Sequence, residues 1–318
     1  MFDCHFDLLM YIYMCKKDIS EVKEYCEKVY RKDNITGGVF NFYYTDANSM
    51  EQKLGIKRKD FSVHGNVKEV NRLIEKYKII PEGTEYIIGI EGLDYLKDFD
   101  EIDTLYELGL RSTNIVWNNE NSFGGGTKAR KEIGLTELGI RLVDKLVEKR
   151  IAIDLSHANE KTFYGIIEEC RRLRQAGKNP IIYASHSNAK AVCNHERNLT
   201  DEQIKVIAHE FEGVIGVVEY PPFVKIKGKN ENIGNVEYEE HYLNHIKYIK
   251  ELLGGVEHIS VSTDDMTFEH DICYELPIYQ HAEVAEKIKG NLLSGGYSKK
   301  EAEKILHENF ESKILKRL

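Results

Sequence analysis

Short apolar or β-branched runs alternate with longer, charged, amphipathic stretches along the 318 residues. Eight of the apolar runs read as strands: MFDCHFD (1–7), GGVFNFYY (37–44), EYIIGIEG (85–92), LRSTNIVW (110–117), IAIDLSH (151–157), PIIYASH (180–186), GVIGVV (213–218) and HISVST (258–263). Between them, VKEVNRLIEKYKI (67–79) and TELGIRLVDKLVEKR (136–150) carry helical periodicity, the second opened in N-cap style by Thr136. Strands alternating with helices predict an α/β protein with a parallel sheet, and eight is the number that closes a (β/α)8 TIM-like barrel. The length fits one such domain over residues 1–318. A doubly wound open sheet is the rival, but no glycine-rich phosphate loop follows the first strand. The run SFGGGTKAR (122–130) lacks Walker spacing and reads as a flexible loop.

Strand after strand ends in a potential metal ligand. His5 and Asp7 are two apart, which on a regular strand puts both on one face, opposite Phe2, Cys4 and Phe6. Glu91, His157, His186 and Asp264 terminate later strands. In a barrel these positions meet at the C-terminal mouth, where such folds keep their chemistry. Nitrogen and carboxylate donors without thiolates suit zinc, manganese or iron. Three histidines and two or three carboxylates exceed what one tetrahedral ion needs, so the donor set points to two metals bridged by a carboxylate. His64, His209, His241, His245, His270, His281 and His307 fall in polar stretches and are expected to be solvated. Tyr220-Pro221-Pro222, after the seventh strand, is expected to shape the mouth.

Composition narrows the partners. Hydrophobic residues make up 42% and charged residues 31%, an ordinary globular mixture, and the formal charge of −9 argues against a nucleic-acid partner. LLMYIYM (8–14) is too short for a signal peptide and lacks a basic flank, and no run approaches a membrane span. The six scattered cysteines include no CxxC pair, so a reduced, cytoplasmic protein is expected.

In order along the chain, HFD (5–7), GIEG (89–92), GLTELG…IAIDLSH (134–157), IIYASHS (181–187), HERNLTD (195–201) and STDD (262–265) resemble the renal (membrane) dipeptidase family of zinc peptidases, and the likeness continues to KILHENF (304–310). The ordered IDLSH, SHS and RN series is the specific part; a lone HxD would not be. The resemblance implies a (β/α)8 barrel with two Zn2+ ions per chain, other divalent metals being alternatives. It implies that His5 and Asp7 hold one metal, Glu91 bridges both, and His157 and His186 complete the second. Arg197 would pair with the terminal carboxylate of a dipeptide, and Asp264 would shuttle the proton of the attacking water. A homodimer is a further family-level expectation.

The chain departs from the family pattern at Trp117, which stands where many members have a substrate-binding histidine; Asn118 or Asn121 are the polar donors beside it. A second departure is STDDM, where the family commonly has a DFDG-like run. Two other readings therefore stand beside the dipeptidase. One is a binuclear amidohydrolase acting on a lactone or cyclic amide, although no lysine ends the third or fourth strand to become the carboxylated bridge of such enzymes. The other is a catalytically silent family member retained as a binding protein.

Overall fold

All eight expected strands form, each shorter than its apolar run. They are β1 (Phe2–Phe6), β2 (Gly37–Tyr43), β3 (Glu85–Glu91), β4 (Leu110–Asn114), β5 (Ala152–Asp154), β6 (Ile182–Tyr183), β7 (Ile215–Val218) and β8 (Ile259–Ser262). The computed structural model describes residues 1–14, 18–32, 35–43, 62–96, 98–225, 235–264 and 284–318; Cys15, Asp265, His270, Cys273 and His281 lie outside them. The first six strands pair in parallel in sequence order, and β7 pairs in parallel with β8. Main-chain bonds continue the pairing across both gaps. Ala184 N–H donates to Val214 O at 3.0 Å and Gly216 N–H to Ala184 O at 2.7 Å, while Asp264 N–H donates to His5 O at 3.1 Å. The sheet therefore curls, with helices following the strands as an α/β chain requires.

The helices start where their caps dictate. The helix Val63–Tyr77 begins when the Ser62 hydroxyl accepts from Gly65 N–H, and it buries Val63, Val67, Val70, Leu73 and Ile74 along one stripe. Thr136 caps Glu137–Glu148 in the same way, as its sequence position suggests. These stripes cover one face of the sheet, packing on Phe40, Phe42, Ile88, Ile90, Ile153 and Ile215.

The other face is layered. Near the strand starts it is apolar: Phe2, Cys4, Val39, Ala152, Ile181, Tyr183 and Val214 pack against Phe310 and Ile314 of the C-terminal segment. Phe310 stacks on Phe2 with ring centroids 4.8 Å apart and meets Tyr183 edge-on at 5.5 Å. One step further along each strand, that face carries buried polar residues: Asn41, Glu91, Asn114, Asp154 and Ser262.

Three sequence expectations change here. Phe6 does not share a face with Phe2 and Cys4. Asp3 pairs with Gly38 but Phe6 with Phe40, so β1 carries an extra residue against β2. Phe6 then turns outward against Phe40, at 5.9 Å, and His5 turns inward. The His5 N–H freed by this bulge donates to Asp3 Oδ1 at 3.1 Å, and the same oxygen accepts from Thr263 N–H at 3.0 Å. Second, Gly124, Gly125 and Gly126 are not a flexible loop but are buried. A side chain at Gly126 would place its Cβ 1.7 Å from Trp117 O, so glycine is required for this close approach. Third, His245 is fully buried rather than solvated; Ala189 N–H donates to its Nδ1 at 3.2 Å, and its Nε2 lies 3.1 Å from Val224 O.

Phe310 closes the apolar end of the polar face. Phe310→Ala should cost about 3–5 kcal/mol of unfolding free energy, the usual result of emptying a buried aromatic site. Denaturant titration of the variant checks this.

Candidate metal centre

Glu91 ends β3 with its Oε1 buried and without a hydrogen-bond donor other than histidine. His157 Nε2 lies 2.7 Å from that oxygen, His186 Nε2 3.2 Å and His5 Nε2 3.7 Å. His5 Nε2 is also 3.5 Å from Asp7 Oδ1 and 3.8 Å from Asp264 Oδ1. Two overlapping donor groups result, His5–Glu91–His186 and His5–Asp7–Asp264, each compact enough to surround one cation. Both share His5.

The backbone aims these groups. His157 and His186 stand beyond the ends of β5 and β6, not within them, and His157 and Asp264 hold left-handed backbone at φ 71° and 50°. Non-glycine residues keep such conformations only where the surroundings impose them, and they concentrate at functional sites. Thr127 N–H donates to His157 O at 2.9 Å, so the buried glycine run fixes that turn.

Every imidazole is held by its far nitrogen. His157 Nδ1 lies 2.9 Å from Asn118 Oδ1, and the Trp117 indole stacks on the His157 ring at 5.7 Å. His186 Nδ1 is 2.6 Å and His5 Nδ1 3.2 Å from the hydroxyl of Ser185. With Nδ1–H donated outward, each Nε2 faces the centre, where it donates to Glu91 when protonated and offers a lone pair to a cation once deprotonated. The Nε2 atoms of His157 and His186 are 2.9 Å apart, a repulsive contact unless a proton or a cation sits between or beside them. Among the described residues, His5 Nε2, Asp7 Oδ1 and Glu91 Oε1 are buried with no other hydrogen-bond partner. Such a donor set fits divalent cations.

Protonation follows the same crowding. Burial works against a charged Glu91, yet His157 and His5 beside it hold its pKa well below the usual range. Burial also opposes a charged His5, but Glu91 and Asp7 outweigh it and raise its pKa to about 10. Burial beside these charges pushes Asp7 up to about 8 and Asp264 up to about 6. His157 is lowered to about 4 by burial and by Arg197, and His186 is lowered well below the normal value by burial and by His5. In effect, protons on His5 and Asp7 balance charge that a cation would balance.

Arg197 lies beside this cluster. It is 6% exposed, its Nε and Nη2 have no hydrogen-bond partner among the described residues, and its guanidinium packs over Phe223 at 5.2 Å. Phe223 follows Tyr220-Pro221-Pro222, which begins the short helix Pro221–Val224. Asn198 ties the two loops together by donating to Cys193 O and Phe223 O, each at 2.8 Å.

Residues 34–317 match the family model described as membrane dipeptidase, peptidase family M19. The chain belongs to the membrane dipeptidase family. It is 31% identical over 179 residues to an uncharacterized protein encoded beside a PQQ gene in Acinetobacter calcoaceticus, covering 54% of this chain and 53% of that protein. It is 27% identical over 192 residues to an uncharacterized dipeptidase of Schizosaccharomyces pombe, covering 59% of this chain and 43% of the relative. The chain thus spans about half the length of these curated relatives. In fold it is similar to a metallopeptidase from Rhodobacter sphaeroides solved with a phosphinate mimic of the dipeptide L-Ala-D-Ala, with a TM-score of 0.74 at 22% identity and 100% and 99% of the two chains covered.

A metallopeptidase family implies a metal, and the donor atoms above are where this chain would hold it. The matched segment begins after β1, so His5 and Asp7 rest on the geometry and on the HFD motif. Asp3, Asp154 and Ser185 escaped the sequence reading. The signal for Asp154 was present, since a carboxylate inside the buried run IAID must answer to several donors.

Protons on His5 and Asp7 must leave when a cation enters. Adding Zn2+ to metal-free protein in weak buffer at pH 7 should release protons. Affinity should fall as pH drops from about 8 to about 6, where Asp7 and then Asp264 take up protons. Titration calorimetry in buffers of differing ionisation enthalpy checks both.

Proposed function

We propose that this protein is a binuclear, zinc-dependent dipeptidase acting on dipeptides with a free C-terminal carboxylate, including those with a D-residue. The observation that carries this reading is Arg197, a buried guanidinium with unpaired Nε and Nη2 beside a buried carboxylate and imidazole cluster. A buried cation of that shape is costly without an anionic partner, and a planar fork suits a carboxylate. The mimic bound by the Rhodobacter protein supports a D-residue at the second position.

On this reading the curled sheet is a (β/α)8 barrel, residues 1–318 are one domain, and the site lies at the strand C-termini. His5 and Asp7 would hold one cation, His157 and His186 the other, with Glu91 shared between them. Bound divalent cations supply Lewis acidity, lowering the pKa of water and polarising the scissile carbonyl. Asp264, whose carboxylate lies 3.8 Å from His5 Nε2, accepts the proton of the attacking water and returns it to the leaving amine. Trp117 walls the pocket. Asn118, with its carbonyl on His157, presents its amide to substrate. The four described free cysteines, Cys4, Cys26, Cys170 and Cys193, are buried, in keeping with a reduced, cytoplasmic setting. Among the described residues no helix is long and apolar enough to cross a membrane. A homodimer completes the proposal.

A second reading, an amidohydrolase of other specificity, is favoured by Trp117: an indole offers one hydrogen bond and cannot carry a proton at neutral pH. A panel of L,L and L,D dipeptides with added Zn2+, and an N-acyl amino acid amide lacking the carboxylate, separates the two. Hydrolysis of carboxylate-bearing dipeptides alone supports the dipeptidase; turnover of none of them overturns it.

Arg197→Met should raise KM for dipeptides by about a hundredfold with a smaller change in kcat, since truncating one side of a buried charged pair costs roughly 2–5 kcal/mol. Steady-state kinetics on the preferred dipeptide gives both constants.

A further inference from the structure

Ser185 lies between two of the histidines and a carboxylate, Asp154, that belongs to neither donor group. Its hydroxyl donates to Asp154 Oδ2. Asp154 Oδ1 meanwhile accepts from Ser156 N–H at 3.0 Å and from Ser185 N–H at 2.9 Å, so this carboxylate is 3% exposed and surrounded by donors. A serine hydroxyl has one proton and two lone pairs. With the proton committed to Asp154, only the lone pairs face His186 Nδ1 at 2.6 Å and His5 Nδ1 at 3.2 Å. Both rings must then donate from Nδ1, which leaves both Nε2 atoms aimed toward Glu91 and able to bind a cation once deprotonated.

We propose that Asp154 and Ser185 form a polarity lock, in which one carboxylate, accepting through one hydroxyl, fixes the tautomer and orientation of His5 and His186 together. Neither residue touches substrate or the reacting atoms; both are positioning residues. The two histidines come from β1 and from the turn after β6, elements that do not pair in the sheet, and Ser185 joins them from a site that is 0% exposed. Asp154 sets the direction. An amide in its place would offer Nδ2–H to the hydroxyl, which would then turn its own proton toward one imidazole and oppose a lone pair at the centre. Ser156 supports the frame by accepting from His186 N–H at 3.1 Å. The inference rests on His5 and His186 being metal ligands.

The test is Zn2+ affinity, measured by competition with a chelating indicator, for the wild type, Ser185→Ala, Asp154→Asn and the double variant. Loss of the outer partner of a metal-binding histidine typically weakens affinity about 10–100-fold. Each single variant should show a loss of that size, and the double variant should lose little more than Ser185→Ala, because Asp154 acts through Ser185. Wild-type affinity in Ser185→Ala, or fully additive losses, would overturn the lock. Nitrogen-15 spectra of the zinc-loaded wild type decide the matter even if a variant does not fold. Slowly exchanging Nδ1–H on His5 and His186, with Nε2 on the metal, is expected; metal on Nδ1 of either ring overturns the proposal. A wild type that binds no Zn2+ at all sinks the metal-centre reading and the lock with it.

Discussion

A carboxylate placed among three imidazoles, with almost no water to share its charge, is the constraint on which the rest of this molecule depends. Glu91 cannot move away from His5, His157 and His186 without leaving its own strand, and they cannot turn away from it without releasing partners behind them. Burial makes each interaction strong and each error costly. The sheet answers by splitting one face into layers. Apolar side chains plug the strand starts, where packing alone suffices, and polar side chains occupy the strand ends, where every group must be matched.

Matching is achieved from outside the centre. Asn118 holds His157, Ser185 holds His5 and His186, and Asp3 takes the backbone N–H that the β1 bulge sets free. The bulge itself is part of the chemistry. Without the extra residue, strict alternation would put Cys4 and His5 on opposite faces; with it, Cys4 packs below and His5 reaches Glu91 from the same side. Arg197 belongs to a different frame, built from Asn198, Phe223 and His245, which clips the loop after β6 to the loop after β7. The inner frame sets where a cation would sit, and the outer loops set where an anion would sit.

Much of this was legible in the chain. Eight apolar runs gave the strands, Thr136 gave a helix start, and polar residues at successive strand ends marked the residues that gather around Glu91. What stayed hidden shares a physical cause, because it depends on contacts between segments far apart in sequence. Alternation assigned Phe6 to the wrong face because a bulge leaves no mark in periodicity. GGGT looked mobile because glycine signals freedom and close approach equally, and only Trp117 O packed against Gly126 distinguishes them. His245 sits among polar residues of its helix and looked solvated, while its partners, Ala189 and Val224, come from segments more than twenty residues away. Ser185 and Asp154 looked like ordinary strand residues. Their meaning lies in which lone pairs are already used.

The seam between β1 and β8 has a consequence for how the protein is made. Hydrogen bonds from the Ser262–Thr263 segment to His5 and Asp3 join residues 257 and 260 positions apart. At a synthesis rate of roughly 5–20 residues per second, His5 and Asp7 leave the ribosome about 10–50 s before Asp264 can join them. Through that interval these two proposed ligands would stand on an unclosed edge, with a carboxylate and an imidazole open to whatever cation is abundant. On the proposed metal centre, the first metal the nascent chain meets would be chosen by the cell's supply, and the choice confirmed or reversed only when the last strand arrives.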